Sequence, residues 1–188
     1  MEWTWPEIEG DRLILTPTIE SDAEALASCA DETTFAFSLG RPASPSVQDM
    51  ARYLAARDAQ PYTMRLRATG EVVGCSSFMD LRPAHRALEI GSTWIGPRRR
   101  GTFVNPEAKL LMMRHAFGAL GCVRVQLKCD ARNGRSAAAI AKLGAVFEGR
   151  LRNYGVMPHG YVRDTLMFSV TDAEWPEVRV GLERRLVG

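Results

Sequence analysis

The chain has 188 residues, of which 46% are hydrophobic and 24% are charged, a composition that fits one globular domain and excludes wholesale disorder. The formal net charge of +2 is too small for a protein whose main partner is nucleic acid. The N-terminal residues form no secretory signal, and no stretch approaches the roughly 20 apolar residues of a membrane helix. We therefore expect a cytoplasmic protein, with a single domain over 1–188 and no nucleic-acid or membrane partner.

The cysteines and histidines do not form a metal-binding pattern. The four cysteines are Cys29, Cys75, Cys122 and Cys129. They contain no Cys-x-x-Cys pair, and the three histidines are scattered along the chain. The spacing therefore predicts free buried thiols and no metal site.

The first half of the chain predicts a strand, two helices and an antiparallel meander. The strand covers Asp11–Thr16, and two capping patterns start helices at Ser21 and Ser46 that end near residues 30 and 58. Residues 31–45 form either a short helix or a loop. Segments 62–68 and 71–79 flank a Thr-Gly turn and predict a hairpin.

A further strand is predicted over Ala87–Ile95. Its alternation places Leu88, Ile90 and Trp94 on one face and puts Glu89, Gly91 and Thr93 on the other.

The second half predicts a βαβ unit followed by a helix, two strands and a terminal helix. After a loop over 96–104, Asn105 suits the helix cap and Pro106 the first helical position. That helix ends at Gly121, and a strand follows over Val123–Cys129 that should lie parallel to the strand ending at Ile95. The remaining elements are a helix over 133–143, strands over 145–151 and 163–170, and a terminal helix over about 172–186.

The loop before the Asn105 helix has the composition of an anion site. It contains Arg98, Arg99, Arg100, Gly101 and Thr102 in succession. Helix amides and the helix dipole favour negative charge at this position, and arginine forks onto phosphate oxygens. The spacing matches neither a Walker loop nor a dinucleotide fingerprint. The alternative interpretation is a solvated surface loop.

Two segments together resemble the GNAT acetyltransferases, and most of all the branch related to ribosomal-protein N-acetyltransferases of the RimJ/RimL type. The first is the strand from Glu89 to Ile95 with the arginine loop and the sequence Asn-Pro-Glu-Ala-Lys-Leu-Leu. The second is Asp-Ala-Arg-Asn-Gly-Arg-Ser at 130–136, followed by Lys-Leu-Gly-Ala and Phe-Glu-Gly. The similarity covers roughly residues 8 to 176.

The resemblance implies a mixed, strongly twisted α/β sheet flanked by helices, in which two neighbouring parallel strands diverge. It implies acetyl-CoA as co-substrate, with pantetheine near Trp94 and Ile95. It places the diphosphate on the segment from Arg98 to Phe103 and at the start of the Asn105 helix. Asn133 would contact pantetheine or cap its helix. Phe103 stands where a small residue is usual, and a bulky residue disfavours positive φ.

Two residues are candidates for the acid–base chemistry of acetyl transfer. Glu89 could accept the proton of the attacking amine, although it could also be an exposed strand residue or the partner of an arginine. The tyrosine acid of many GNAT enzymes is absent, because Ile140 occupies its position. Ser136 matches a serine that lies near the CoA sulfur in the RimJ/RimL-like branch, and its alternative role is helix capping. Neither residue needs a metal.

The acceptor is the least determined part of the interpretation. The leading hypothesis is the N-terminal α-amine of a protein such as a ribosomal protein. A small amine is the enzymatic alternative, and an acyl-CoA-binding sensor is the non-enzymatic one. Acceptor specificity should depend on residues 31–45 and 153–162, and Tyr154 could line that site. Because the family is often dimeric, the resemblance also allows a homodimer.

Overall fold

A computed structural model describes residues 2–44, 46–56 and 58–187. Eight strands form one sheet in the order β1-β2-β3-β4-β5-β6-β8-β7. Their bounds are β1 Ile8–Glu9, β2 Leu13–Pro17, β3 Ala59–Leu66, β4 Val72–Arg82, β5 Ala87–Ile95, β6 Arg124–Asp130, β7 Val146–Val156 and β8 Val162–Thr171. Only β5 and β6 pair in parallel, and the other neighbouring strands are antiparallel.

In the described part of the chain, five α-helices cover the two faces of this sheet. They are α1 Ala23–Cys29, α2 Val47–Ala55, α3 Val104–Arg114, α4 Gly134–Lys142 and α5 Trp175–Val187. The larger apolar cluster joins α3, α4 and α5 to the strands, with Leu88, Leu111 and Val125 among its members. A smaller cluster joins α1 and α2 to β4 and β5 through Leu26, Met50 and Trp94. We call the first side of the sheet the α3 face and the second the α1 face.

The predicted fold class is confirmed: β5, α3 and β6 form the βαβ unit inside a mixed sheet flanked by helices. Several predictions that depended on a few neighbouring residues, such as one helix cap and two turn glycines, agree well with the structure. The Ser46 hydroxyl caps α2 by accepting from the Asp49 amide at 3.2 Å. Gly70 has φ +72° in the turn between β3 and β4, and Gly121 has φ +64° after α3 and its π-helical extension, His115–Ala119.

Three predicted helix starts need correction. Helix α1 is preceded by a short 3₁₀ turn in which Asp22, rather than the predicted Ser21–Glu24 pair, accepts the Ile19 amide. Asn105 is not the cap of α3, because that helix begins at Val104 and no side chain caps it. Val104 is fully buried, so apolar packing continues the helix back beyond Asn105. Helix α5 begins at Trp175 instead of near residue 172, and the turn before it holds the bond from the Thr171 amide to the Glu174 carboxylate at 2.8 Å.

The cysteines and residues 31–44 were also the subject of predictions. The four cysteines are thiols that form no disulfide within the described residues; Cys29 is half-buried and the other three are buried. Residues 31–44 contain turns and no helix, while Pro45 lies outside the described residues. In the described ranges, no helix is both long and apolar enough to cross a bilayer. The same ranges contain no group of three or more His, Cys, Asp or Glu side chains suited to a metal ion.

A bulge in β5 reverses the predicted faces near the end of the strand. Ser92 has φ +47°, and the β4–β5 register shifts between Cys75 and Ser77. Leu88 and Ile90 pack on the α3 face as predicted. The prediction was wrong for Trp94, which packs in the α1-face cluster, and for Thr93, whose hydroxyl contacts Lys109 of α3.

Glu107 ties α3 to the first strands of the sheet. Its carboxylate is buried and accepts the amides of Arg12 at 2.8 Å and Leu13 at 3.0 Å. We expect Glu107→Ala to lower the free energy of unfolding by about 2–3 kcal/mol, because two amides lose their acceptor. Urea unfolding measures this loss, and Glu107→Gln should lose less because it keeps one oxygen acceptor.

Candidate active site

An opening separates β5 from β6. The two strands pair only at Ala87–Arg124, Leu88–Val125 and Glu89–Gln126. Beyond this point β5 continues to Ile95 and β6 to Asp130 without pairing to each other. The predicted divergence of these strands is therefore present, and it leaves one edge of β5 open beside the start of α3.

The loop between β5 and α3 presents unpaired backbone amides. Within the described chain, the amides of Gly101, Thr102, Phe103 and Asn105 donate no hydrogen bond. The first helical bond runs from the Glu107 amide to the Phe103 carbonyl, at 3.0 Å. Free amides at the positive end of an 11-residue helix form a site for an anion.

Phe103 fits this loop without strain. Its φ is −61°, in the ordinary helical region, and the positive φ of +77° belongs to Gly101. The Arg12 guanidinium lies 4.1 Å from the centroid of the Phe103 ring. The bulky residue therefore packs beside the loop and does not distort its backbone.

The three arginines of the loop have different environments. Arg99 forms an ion pair with Glu71, and this contact holds the pKa of the Glu71 carboxyl below its usual range. The Arg100 guanidinium donates to the Ile95 carbonyl at 3.0 Å and to the hydroxyls of Thr33 and Thr34. Arg98 is exposed and makes no hydrogen bond or ion pair to the described residues. Arg98 is thus the arginine whose whole side chain is available to a phosphate.

Trp94 and Ile95 reach the opening mainly through their backbone. The Trp94 ring is buried against Phe35, with 5.3 Å between ring centroids. Both residues pair with β4 on one side, through Cys75 and Gly74. The Ile95 carbonyl already accepts a hydrogen bond from Arg100. A ligand would therefore bind to the other backbone N–H and C=O groups on the open edge of β5.

Glu89 lies at the closed end of the opening, where the pairing of β5 with β6 stops. Only 1% of it is exposed, so it is not an exposed strand residue. Its carboxylate forms an ion pair with Lys128 at 2.8 Å, and the Gln126 amide group is 3.5 Å away. Gly91 leaves room for this carboxylate, since a Cβ there would lie 2.4 Å from Glu89 Oε1. Both alternatives to the proposed base are therefore corrected: the carboxylate is buried, and its partner is a lysine instead of an arginine.

Lys109 is a buried cation that sequence reasoning missed. It is 4% exposed on the sheet side of α3, and its ammonium donates to the hydroxyls of Thr93 and Ser76. Burial lowers the pKa of Lys109 to about 7, although the Glu89 carboxylate acts in the opposite direction. A lysine inside an otherwise apolar run of a helix was the signal in the sequence.

Asn133 and Ser136 lie at the start of α4. The Asn133 side chain caps the helix by accepting the Ser136 amide at 3.0 Å. The Ser136 side chain contacts the Cys129 thiol of β6; burial raises the pKa of that thiol, and the serine contact partly opposes the change. Ser136 is half-buried beside the strand that borders the opening, so its hydroxyl is available to a ligand there.

The two loops expected to set acceptor specificity meet over the α1 face. Leu39 packs against Gly155 of β7, where an added Cβ would lie 2.8 Å from Leu39 Cδ2. Arg163 of β8 donates to the Phe37 carbonyl at 3.1 Å.

Lys128 connects the second of these loops to Glu89. The Tyr154 hydroxyl lies 3.0 Å from the Lys128 ammonium, which also contacts Glu89. Lys128 and Arg163 were not singled out from the sequence, because strand alternation alone does not separate a solvent-facing lysine from one that lines a cleft.

Comparisons with known proteins agree with this geometry. A family model described as an acetyltransferase (GNAT) domain matches residues 12–146. The chain is 30% identical over 173 residues to the uncharacterized N-acetyltransferase YoaA of Bacillus subtilis (strain 168), and the match covers 88% of this chain and 97% of that protein.

Solved structures share the whole architecture. A GCN5-related N-acetyltransferase from Brucella melitensis superposes with a TM-score of 0.88 at 29% identity, covering 96% of this chain and 85% of that one. Mycobacterium smegmatis RimJ in complex with CoA-disulfide superposes with a TM-score of 0.79 at 22% identity, covering 96% and 95%, a likeness of fold. From the family match, the relative and the superpositions together, the chain belongs to the GNAT family of N-acetyltransferases and is an acyltransferase.

Proposed function

We propose that residues 1–188 form a single N-acetyltransferase domain that transfers the acetyl group of acetyl-CoA to a primary amine. Our leading acceptor is the N-terminal α-amine of a protein such as a ribosomal protein, as in the RimJ/RimL type. One observation carries the proposal: the unpaired amides of the loop before α3 lie beside the opening between β5 and β6. These amides and Arg98 would bind the diphosphate, and the open edge of β5 near Ile95 would bind pantetheine.

The chemistry needs one proton acceptor and one proton donor. The amine nitrogen attacks the thioester carbonyl, the new N–C bond forms, and the C–S bond breaks. Glu89 accepts the amine proton, and the Lys128 ammonium, 2.8 Å away, holds the carboxylate in place for that role. The Ser136 hydroxyl donates a hydrogen bond or a proton to the departing thiolate. Backbone amides of β5 would stabilise the oxyanion.

Binding and turnover measurements test the proposal. We expect acetyl-CoA to bind with micromolar affinity by calorimetry, and a thiol-release assay to detect transfer to a peptide N-terminus. Transfer only to small amines would replace the leading acceptor with the small-molecule alternative. Binding without turnover on any amine would favour an acyl-CoA sensor, and absence of binding would contradict the whole proposal.

The role of Arg98 has an electrostatic signature. Arg98→Ala should raise the Kd for acetyl-CoA about 3- to 10-fold at low ionic strength and less at 0.5 M salt, because exposed charges are screened. Calorimetry at two salt concentrations measures the difference. Arg99→Ala is the matched control and should have the smaller effect, since Glu71 already pairs with Arg99. Equal affinity of the Arg98 variant and the wild type would remove this residue from the site.

The role of Ser136 separates turnover from binding. Ser136→Ala should lower kcat about 10-fold and leave the Kd for acetyl-CoA nearly unchanged, because the hydroxyl acts on the leaving group. Its capping bond uses the backbone amide, which the substitution keeps. Steady-state kinetics and calorimetry measure the two quantities. A variant with the wild-type kcat would contradict the role.

We also propose a cytoplasmic location and, from the resemblance to a family that is often dimeric, a homodimer. Light scattering during gel filtration tests the second. A monomer at all concentrations would contradict it without affecting the catalytic proposal.

A further inference from the structure

Several ion pairs lie on the α1 face beside the opening between β5 and β6. Gln126, Lys128 and Asp130 alternate along β6 on this face, and the Thr165 position of β8 lies opposite Asp130. Three ion pairs lie here, namely Glu89 with Lys128, Asp80 with Arg82 and Asp130 with Arg132. Each carboxylate in these pairs already has its own cation.

Arg163 is the exception. It lies two residues from Thr165 and so shares the face with Asp130, toward the open end of the cleft. Only 5% of it is exposed, yet no carboxylate of the described residues forms an ion pair with it. Nε donates to the Thr165 hydroxyl at 2.9 Å and Nη1 to the Phe37 carbonyl at 3.1 Å. Nη2 makes no hydrogen bond within the described ranges.

The energetics of this arrangement favour a negatively charged ligand. Burial lowers the pKa of Arg163, and the nearby Asp130 carboxylate acts in the opposite direction. A guanidinium stays protonated under such conditions, so the fold keeps a buried cation that forms no ion pair with the described residues. An unpaired charge held away from water destabilises the fold, and a ligand carboxylate that accepts from Nη2 of the guanidinium would offset this.

The position of this cation relative to Glu89 defines what the ligand must carry. Glu89 lies at the closed end of the opening, and Arg163 lies at the open end, beneath the Phe37 loop. We propose that the acceptor carries a carboxylate close to its reactive amine, and that Arg163 binds this carboxylate while the amine faces Glu89. The inference rests on the proposed function and narrows its acceptor. A free amino acid supplies this chemistry through its α-carboxylate, and a peptide supplies it through an acidic side chain at its N-terminus. Polyamines would be poor acceptors.

Matched acceptor pairs test the proposal on the wild-type enzyme. One arm compares free amino acids with their amides, and the other compares peptides that begin with Asp or Glu with those that begin with Asn or Gln. We expect kcat/KM to be at least 10-fold higher for the carboxylate member in one arm, and that arm identifies the source. Equal rates in both arms would overturn the inference, while turnover itself would leave the proposed function intact.

Arginine variants give the second measurement. Arg163→Gln should remove most of the preference for the carboxylate acceptor through KM and change the rate with the neutral acceptor less than about threefold, whereas Arg163→Lys should keep part of the preference. Arg150→Gln is the control, because Arg150 is exposed and pairs with Asp164. Equal loss with both acceptors would assign Arg163 to holding the Phe37 loop and would contradict the inference. Should Arg163→Gln fail to fold, Arg163→Lys and the wild-type pairs still decide.

Discussion

Glu89→Gln should lower kcat about 100- to 1,000-fold, the range expected when an enzyme loses its proton acceptor. The substituted amide has the size of the carboxylate, and its oxygen can still accept from Lys128, so the local packing should survive. The Kd for acetyl-CoA should stay within about threefold, because the unpaired amides of the loop are untouched. Single-turnover kinetics with acetyl-CoA in excess measures the chemical step directly.

The control must separate loss of a base from loss of an ion pair. Glu148 serves this purpose, since its carboxylate reaches from the edge strand β7 to Arg124 of β6, and this contact holds the pKa of Glu148 at about 2. Glu148→Gln should therefore leave kcat nearly unchanged. If Glu89→Gln retains more than about a third of the wild-type rate, the proton of the amine leaves by another route, such as direct transfer to water.

Lys109→Met should stabilise the protein by roughly 1–3 kcal/mol at pH 7. The substitution replaces a buried ammonium with an apolar side chain of similar length. The hydroxyls of Ser76 and Thr93 lie 2.7 Å apart and can satisfy each other after the ammonium is gone. Thermal and urea unfolding measure the change, and Lys142→Met is the control because Lys142 is exposed near the end of α4.

The pH dependence follows from the sign of the pKa shift. The pKa of Lys109 is about 7 in the folded chain and 10.5 in a model peptide, so the unfolded chain holds more protons between these values. Wild-type stability therefore rises with pH in this window, and the advantage of Lys109→Met should shrink by about 2 kcal/mol from pH 7 to pH 9. Buried cysteines complicate measurements above pH 9, because burial raises the pKa of Cys122 to about 11. A constant advantage across the window would show that Lys109 stays protonated.

Local signals made much of the fold predictable. The bounds of β5, the Asn133 cap and the positive-φ glycines depend on residues within a few positions of one another, and these features agree with the structure. The start of α3 was misplaced because burial of Val104, a tertiary effect, extended the helix beyond the residues best suited to its cap.

The site was less predictable than the fold. The bulge at Ser92 moves Trp94 and Thr93 to faces that strict alternation does not give, and no local pattern marks it. Lys128 meets Glu89 across 39 positions of sequence, and Arg163 meets Phe37 across 126. Contacts of this length are set by strand order, which single-sequence patterns determine only where a βαβ unit fixes the neighbours.

Arg100 has a consequence for affinity. Its guanidinium fixes the end of β5 to the turn that holds Thr33 and Thr34, so the segment that carries the unpaired amides is anchored by the fold itself. A loop already restrained in this way loses little conformational entropy when a diphosphate arrives. The loop is then preorganised for the nucleotide end of acetyl-CoA. Less of the interaction energy is spent on ordering the loop, and more of it contributes to binding affinity.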